Sequence, residues 1–481
     1  MRRLLPFLAL AALLAGCGSG SQPSSSGGSV PAGASVVRAG VLAFVSVDSD
    51  TGSSQWQQLD ELAQKFPGRD QAISKLKQKL SEQGVDYDQD VKPALGPELD
   101  IAVVSAGDKS STKAVALTKP DDAAKFKALV EKLNAKDPSG ERAVYREVDG
   151  WYALSDSQAS ISLALEGNAP LADDADFKEA IGKLPGDTLV RVYLDGQRLN
   201  AIAQQSSSSS GAALGLDTLK YIAASASAED DGVHIHGASN GGPKGSGDFA
   251  SALIGGVPGD AFAFLDFDGQ GTTDQIGKLK SNSQAASAIK QLEQTLGVTL
   301  DQLLGLLSGE VAFYVRPGVG IPELTLALDP KDESAALSTL DTMAAKIAAM
   351  SGGHVEPGTQ GGHPVKTVNF GQFAIHYGSV DGKVLITSGG SGIADYGEGD
   401  HLPDSEDFKQ AQDAAGMPDS NGGVMYIDLK DALPLLEGFA GLAGQSLPSS
   451  TTENLRPLRS FLAWTNGSGE SRTFDAFLEI K

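Results

Sequence analysis

Apolar and polar positions follow two different periods along the chain, which predicts strands and helices in alternation. The run Leu42 to Val47 is rich in β-branched and aromatic residues and predicts a buried strand. From Gln55 to Phe66 the apolar side chains recur at helical spacing, so they share one helix face. Further strands are predicted over Leu99 to Val104, Lys113 to Thr118, Ala143 to Val148 and Trp151 to Ser155.

Polar residues at the ends of these segments predict turns and caps. Asp149-Gly150 lies between two strand-like runs and predicts a two-residue hairpin turn. Asp70 and Asp121 precede apolar stripes and predict helix N-caps, and Gly84 predicts the end of the first of these helices. Strands joined by both hairpins and helices indicate an α+β fold, with a mixed or mostly antiparallel sheet packed with helices.

Six blocks of sequence occur twice in the same order, which predicts a tandem duplication of two homologous domains. The strongest block, Leu171 to Ala180, is identical to Leu402 to Ala411 at six of ten positions. The other pairs are Val41–Asp48 with Ala261–Asp268, Leu95–Leu99 with Leu307–Val311, Ala114–Leu117 with Leu324–Leu328, Asp149–Gly150 with Asp381–Gly382, and Val190–Asp195 with Val424–Asp428. We therefore expect a first α+β repeat over residues 31–240, a Gly-rich linker over 241–248 and a second repeat over 249–481.

Composition and charge exclude several classes of protein. A length of 481 residues suits two domains better than one core. The formal net charge of -23 argues against nucleic acid as a partner, since phosphates require a basic surface. The chain has a single Cys, which excludes an internal disulfide framework and a Cys-cluster metal site.

The first residues predict a location outside the cytoplasm. Arg2 and Arg3 precede the short apolar run Leu4 to Leu13, as in a signal peptide. The next residues, Leu14-Ala15-Gly16-Cys17, resemble the lipobox of bacterial lipoproteins. That resemblance implies removal of residues 1–16 and lipidation of Cys17, with the Gly/Ser-rich segment 17–30 as a tether. The alternative is an ordinary secretory leader with an unrelated thiol.

The repeated blocks also resemble a known family. The leader is followed by a strand that ends in Asp48, the step Leu95 to Leu99, and the helix-like Phe177-Lys178 block before a strand that ends in Asp195. This order is similar to a family of uncharacterised bacterial exported proteins, domain of unknown function 3352. The resemblance implies an extracytoplasmic location. It implies no established activity and no catalytic residues.

Histidines offer one candidate metal site. His234 and His236 alternate along a predicted strand, so both rings project from the same face. A metal would need a third ligand from elsewhere in the fold, such as His376 or an Asp. The alternative is a pair of histidines that simply faces solvent. We expect no metal and no cofactor, with His234 and His236 as weak candidates.

Other polar groups have simpler explanations. Gly237 to Gly241 fits the G-x-S-x-G pattern around Ser239, but the glycines and proline that follow do not begin a helix as a hydrolase nucleophile requires. Asp86, Asp88 and Asp90 begin like a calcium loop that lacks the later Gly and Glu. We interpret the aspartates that end four predicted strands as helix caps in preference to a pocket: Asp48, Asp195, Asp268 and Asp428.

The sequence leaves the molecular activity open. The leading hypothesis is a non-enzymatic binding or scaffold protein of the cell envelope, anchored in the membrane by lipid on its extracytoplasmic side. The alternatives are a carrier of a hydrophobic small molecule or lipid, and a hydrolase. The expected partners are the membrane and either an envelope protein or a hydrophobic ligand, with no catalytic residues and an unknown ligand site.

Overall fold

A computed structural model describes residues 28–105, 112–135, 142–167, 169–205, 216–245, 247–279, 283–318, 321–371, 373–442 and 448–481. The predicted signal peptide and Cys17 lie outside the described residues. The chain forms two compact units. The first consists of Met1–Gly242, Leu447–Pro457 and Ile480–Lys481, and the second of Pro243–Ser446 and Leu458–Glu479. Within the described part of the chain, no helix has both the length and the apolar character needed to cross a membrane.

The first unit alternates strands and helices as predicted. Its strands are β1 Ala43–Asp48, β2 Glu98–Ser105, β3 Lys113–Thr118, β4 Val144–Val148, β5 Trp151–Ser155, β6 Val190–Asp195, β7 Tyr221–Glu229 and β8 Gly232–Gly245. Its helices are α1 Ser54–Gln64, α2 Arg69–Glu82, α3 Ala123–Ala135, α4 Gln158–Leu165, α5 Ala175–Gly182 and α6 Gly196–Gln205. The Gly-rich stretch after residue 236 is therefore part of β8 as far as Gly245.

The second unit repeats this order with an added hairpin. Its strands are β9 Ala263–Asp268, β10 Glu310–Arg316, β11 Glu323–Leu328, β12 Val355–Gln360, β13 His363–Phe370, β14 Phe373–Val380, β15 Lys383–Thr387, β16 Gly423–Asp428, β17 Leu458–Asn466 and β18 Gly469–Ile480. The helices are α7 Gly269–Leu279, α8 Ser283–Leu296, α9 Leu300–Leu306, α10 Glu333–Ser351, α11 Glu406–Ala415 and α12 Leu429–Leu442, while α13 Ser449–Leu455 lies in the first unit.

The two sheets have the same strand order. In the first unit the strands pair in the order β4, β5, β3, β2, β1, β6, β7, β8, all antiparallel. In the second unit the equivalent order is β14, β15, β11, β10, β9, β16, β17, with β12 and β13 added outside β14. The predicted tandem duplication of an α+β fold is confirmed.

The Asp-Gly turn is the same in both units. Asp149 and Asp381 have φ angles of 52° and 48°, and the glycines that follow them have φ angles of 80° and 81°. Positive φ at both positions matches the twist of the flanking strands and closes a two-residue hairpin. The predicted hairpin at Asp149-Gly150 is confirmed.

Each sheet packs one face against a helix from the strongest repeated block. In the first unit Phe177 of α5 contacts Tyr193 of β6 edge to face, with ring centroids 5.0 Å apart. In the second unit Phe408 of α11 contacts Tyr426 of β16 at the same 5.0 Å. Phe177 and Phe408 are almost completely buried. The repeated Phe therefore anchors the helix to the sheet in both halves.

Two predicted helix caps were wrong. The side chain of Asp122, and not that of Asp121, accepts the backbone N–H groups of Ala124 and Lys125 at the start of α3. Asp70 lies inside the first turn of α2, which begins at Arg69 after Gly68. Asp70 still benefits from the helix dipole, because a carboxylate near an N-terminus is stabilising. Gly84 has a φ angle of 72° just after α2, as predicted for a helix end.

Candidate functional site

A row of apolar side chains crosses the second face of the sheet in the second unit. Side chains alternate between the two faces of a strand, so Leu265 points away from the core that contains Phe264. Directly opposing residues extend this row over six strands: Ala463, Met425, Leu265, Phe313, Leu326 and Ile386. With strands about 4.8 Å apart, the row is about 24 Å long.

Much of this apolar row is open to solvent. Leu265 is 39% exposed and Met425 37%, and Leu324 in the adjacent row is 46% exposed. A sheet face that contacts water is usually polar. Over these six strands the first row is apolar, and so is the adjacent second row, which contains Phe461, Ile427, Ala263, Val315 and Leu324. Beyond them the rows become polar: the first continues to Tyr377 and Lys366, and the second to Ser388. We call the apolar parts of the two rows the open apolar face.

Helix α10 covers one side of this surface. The row next to it contains Val311, Leu328 and Val384, which are buried against Leu340 and Ala344 of α10. Leu326 and Ile386 pack at the margin of that cluster and are half-buried. The open apolar face is therefore continuous with a helix-covered core at one end.

The equivalent row of the first unit is better covered. It contains Ala224, Val192, Val45, Ile101, Ala116 and Leu154. Ile101, Ala116 and Leu154 are buried, whereas Val45 and Val192 are half-buried. The same sheet face thus differs between the two units in how much of it contacts solvent.

A glutamate on the second strand of each unit holds the turn that precedes the first strand. Glu310 accepts hydrogen bonds from the backbone N–H groups of Ala252 and Leu253, at 2.8 and 2.9 Å. Glu98 accepts hydrogen bonds from the backbone of residues 32 and 33, at 3.2 and 2.8 Å. The repeated Glu in the two aligned blocks therefore has a structural role.

A buried aspartate lies beside each of these glutamates, on a different strand in each unit. In the first unit Asp100 on β2 is opposite Ser46, and in the second Asp266 on β9 is opposite Ala312. Asp100 is fully buried and Asp266 is 2% exposed. Burial, reinforced by the charge of Glu310, raises the pKa of Asp266 to about 7. Burial raises the pKa of Asp100 well above its ordinary value as well.

The two candidate metal-ligating histidines meet at the β7–β8 hairpin. The rings of His234 and His236 stack with centroids 3.9 Å apart and planes 23° from parallel. The Nδ1 atom of His234 lies 3.0 Å from Oε1 of Glu229. Ligand atoms of all three residues lie within 4.8 Å of one another. Glu229 thus supplies the carboxylate that the sequence did not identify.

His376 is not part of this cluster. It lies on β14 in the second unit, where its Nδ1 atom is 2.8 Å from the hydroxyl of Thr367. Burial lowers the pKa of its ring. A sequence signal for Glu229 did exist, because Asp230-Asp231 separates two strand-like runs and a tight turn there brings residues 229 and 234 to the same end of the hairpin.

The other sequence motifs do not form the sites considered for them. Ser239 lies inside β8, opposite Ile222, so no helix begins after it. Asp88 and Asp90 form ion pairs with Lys77 and Lys132, at 2.9 and 2.5 Å. These contacts orient the two carboxylates toward ammonium groups and away from a common centre.

The aspartates at the strand ends bind backbone amides, as interpreted from the sequence. Asp195 accepts the N–H of Arg198, and Asp428 accepts the N–H of Asp431, both at 3.0 Å. Asp268 accepts the N–H of Gln270 at the start of α7. The fourth, Asp48, differs slightly: it accepts the N–H of Asp50 and the Ser53 hydroxyl, and Ser53 is the N-cap of α1.

A pocket of about 820 Å³ in the second unit is strongly acidic. Asp260 and Asp395 pair with Arg316 at its wall, at 3.1 and 2.6 Å. Further carboxylates line it: Glu398, Asp400, Asp404 and Glu406. This pocket repels anions, and its polar lining does not suit an apolar ligand.

Comparisons with known proteins identify a family. The family described as "Protein of unknown function (DUF3352)" matches residues 5–158 and residues 157–480. No curated protein matches the chain. The solved structures of TP0453 in crystal forms IV, I and III show 12%, 10% and 11% identity, and each has a TM-score of 0.23. The matches cover 46%, 45% and 48% of this chain and 76%, 74% and 93% of the TP0453 chains. That TM-score is too low to indicate a shared fold.

Proposed function

The chain belongs to the DUF3352 family of proteins of unknown function, and we propose that it is a non-enzymatic binding protein of the cell envelope whose ligand is an apolar acyl chain. The open apolar face carries this proposal. Leu265 and Met425 oppose each other on β9 and β16, and both are more than one third exposed.

The chemistry of the face selects the ligand. The eleven residues of the open apolar face include no cation and no polar side chain. Lys366, farther along the first row, already pairs with Asp341 at 2.6 Å. Binding on this face therefore depends on apolar burial, at roughly 0.8 kcal/mol for each methylene group removed from water. A lipid chain laid across the strands meets this requirement, whereas a charged metabolite does not.

Residues 1–17 favour a membrane-bound location. In this proposal the leader is removed, Cys17 is acylated, and residues 17–30 tether the folded part to the extracytoplasmic side of the membrane. Two or more acyl chains give stable anchoring where one chain is marginal. A carrier held there lies close to its source of ligand. Loss of labelled palmitate from a Cys17→Ala variant in growing cells, with retention in the wild type, tests this step.

The scaffold hypothesis predicts a different occupant for the same face. A protein partner would also cover Leu265 and Met425, because exposed apolar patches are typical of protein interfaces. We favour the acyl-chain proposal because the open apolar face continues into the core beneath α10. A narrow apolar ligand can lie along such a surface and reach the margin of that core.

Ligand extraction from a membrane tests the proposal directly. The mature chain, beginning at residue 17 and made without acylation, is mixed with phosphatidylcholine vesicles that contain pyrene-labelled phosphatidylcholine. Binding separates the labelled lipid from its neighbours, so pyrene monomer emission rises at the expense of excimer emission. Unchanged emission at saturating protein would contradict an acyl-chain ligand and leave the scaffold hypothesis ahead.

A further inference from the structure

The β7–β8 hairpin of the first unit holds a three-residue cluster that the proposed function does not use. Its members are Glu229 at the end of β7, and His234 and His236 two residues apart on β8. The ring nitrogens and the carboxylate oxygen lie within 4.8 Å of one another. We propose that Glu229, His234 and His236 form a binding site for a divalent transition metal such as Zn²⁺.

The hairpin register places the three ligands. His234 is opposite Ser227 and His236 is opposite Ser225, so both rings rise from the same face of the sheet. The pair Glu229–Gly232 closes the hairpin two residues before His234. The Glu229 side chain returns along the strand to reach within 3.0 Å of the His234 ring.

The ligand types match the metal. Imidazole nitrogen and carboxylate oxygen both coordinate Zn²⁺ at about 2.0–2.2 Å, and two His with one Glu leave a fourth position open. His234 is only 7% exposed, whereas the Glu229 side chain is 43% exposed. One ring is thus fixed by packing, and the metal enters past the carboxylate.

The duplication supplies an internal comparison. β18 follows β17 along the second unit as β8 follows β7 along the first, and it also begins at a glycine, Gly469. Two and four residues after Gly469 are Ser471 and Thr473, where β8 has His234 and His236 after Gly232. The metal ligands are thus confined to one of the two equivalent hairpins, as expected of a site added to a duplicated fold.

The experiment uses the mature chain without a polyhistidine tag and titrates Zn²⁺ by calorimetry. His236→Ala and Glu229→Gln each remove one ligand while leaving the buried His234 ring in place. The matched control is His354→Ala. His354 lies 2.6 Å from Glu356 at an exposed site, and among the described residues this pair belongs to no group of three possible metal ligands. Thermal unfolding without metal is measured for every variant.

One Zn²⁺ per chain is expected for the wild type and for His354→Ala, with affinity reduced about tenfold or more in His236→Ala and Glu229→Gln. Mg²⁺ is expected not to compete, because it prefers an all-oxygen octahedron. At the same concentration, Zn²⁺ should also raise the melting temperature of the wild type more than that of His236→Ala. Equal affinity in wild type and His236→Ala, or no binding by the wild type, would overturn the site. A lower melting temperature of His236→Ala with unchanged zinc affinity would show that the rings serve only to pack.

Discussion

Leu265 and Met425 lie directly opposite each other on neighbouring antiparallel strands, and both expose more than a third of their side chains on the same sheet face. Residues opposed in this way have Cβ atoms about 5 Å apart, so the pair forms one continuous apolar surface. Their neighbours along the two strands, Phe264 and Tyr426, are buried on the opposite face of the sheet. The sheet is therefore apolar on both sides in this region.

Met425→Glu tests whether that surface binds the acyl chain. A carboxylate against the chain is expected to weaken binding of pyrene-labelled phosphatidylcholine at least tenfold, about 1.4 kcal/mol. Met350→Glu is the matched control, since Met350 is 63% exposed at the end of α10 and lies outside the open apolar face. Equal lipid binding by the two variants would remove Met425 from the ligand site. Both changes should alter the free energy of unfolding by about 0.5 kcal/mol or less, because both side chains are exposed.

Phe408→Ala is expected to destabilise the protein by about 3–5 kcal/mol, because it leaves a cavity beside Tyr426 in the buried core. Urea denaturation followed by tryptophan fluorescence measures this loss. Phe177→Ala should behave in the same way in the first unit, where the geometry of the contact with Tyr193 is the same. Phe373→Ala is the control, since Phe373 is 60% exposed. A loss below about 1 kcal/mol for Phe408→Ala would show that the ring does not anchor α11.

Asp266 is expected to make stability fall as the pH rises. Its folded pKa of about 7 lies above the ordinary value of 3.8, so the folded chain keeps a proton that the unfolded chain has lost. Stability therefore decreases from about pH 4 to about pH 7 and is constant with respect to this group above that range. Asp266→Asn removes this titrating group. The free energy of unfolding of the variant, relative to that of the wild type, should therefore be larger at pH 8 than at pH 5, by on the order of 3 kcal/mol.

Urea unfolding at the two pH values measures that difference. Glu310→Gln serves as a second variant, because the negative charge of Glu310 helps to raise the pKa of Asp266. The Glu310 side chain also accepts hydrogen bonds from the backbone N–H groups of residues 252 and 253. An unchanged pH dependence in Asp266→Asn would mean that another group titrates in this range.

The effect of a substitution at Asp381 on the free energy of unfolding should depend on whether the new residue tolerates a positive φ angle. Asp381 has a φ angle of 48°, which Asn tolerates and a β-branched residue does not. Asp381→Val is expected to cost about 1–2 kcal/mol in the free energy of unfolding, and Asp381→Asn almost nothing. Equal stability of the two variants would contradict the positive φ at this turn. The same pair of changes at Asp149 provides an independent repeat of the experiment.

The strand and helix order of both units could be predicted from the sequence because each element carries its own local signal. The Phe177 and Phe408 blocks indicated a helix, and Asp149-Gly150 predicted a hairpin that the structure also shows at the repeated pair Asp381-Gly382. The caps at Asp70 and Asp121 were assigned one or more residues from the observed helix starts, because several polar residues in a row compete for one N-cap position.

The candidate sites depend on register and could be predicted only in part. The alternation of His234 and His236 was visible, but Glu229 joins them only once the β7–β8 pairing is known. The open apolar face was not visible, because the run around Phe264 and Leu265 reads as a strand buried on both sides. Which side a helix covers depends on packing between segments far apart in the sequence.

Native mass spectrometry of the mature chain, purified from a native-like host and measured before and after organic extraction, tests the central claim most directly. The acyl-chain account predicts an extra mass that extraction releases as a lipid or another compound with a long apolar chain. The Met425→Glu variant should carry this mass at reduced occupancy, and the Met350→Glu variant should retain it. A wild-type chain found at its bare protein mass before extraction would contradict the account, and the open apolar face would then belong to a protein partner.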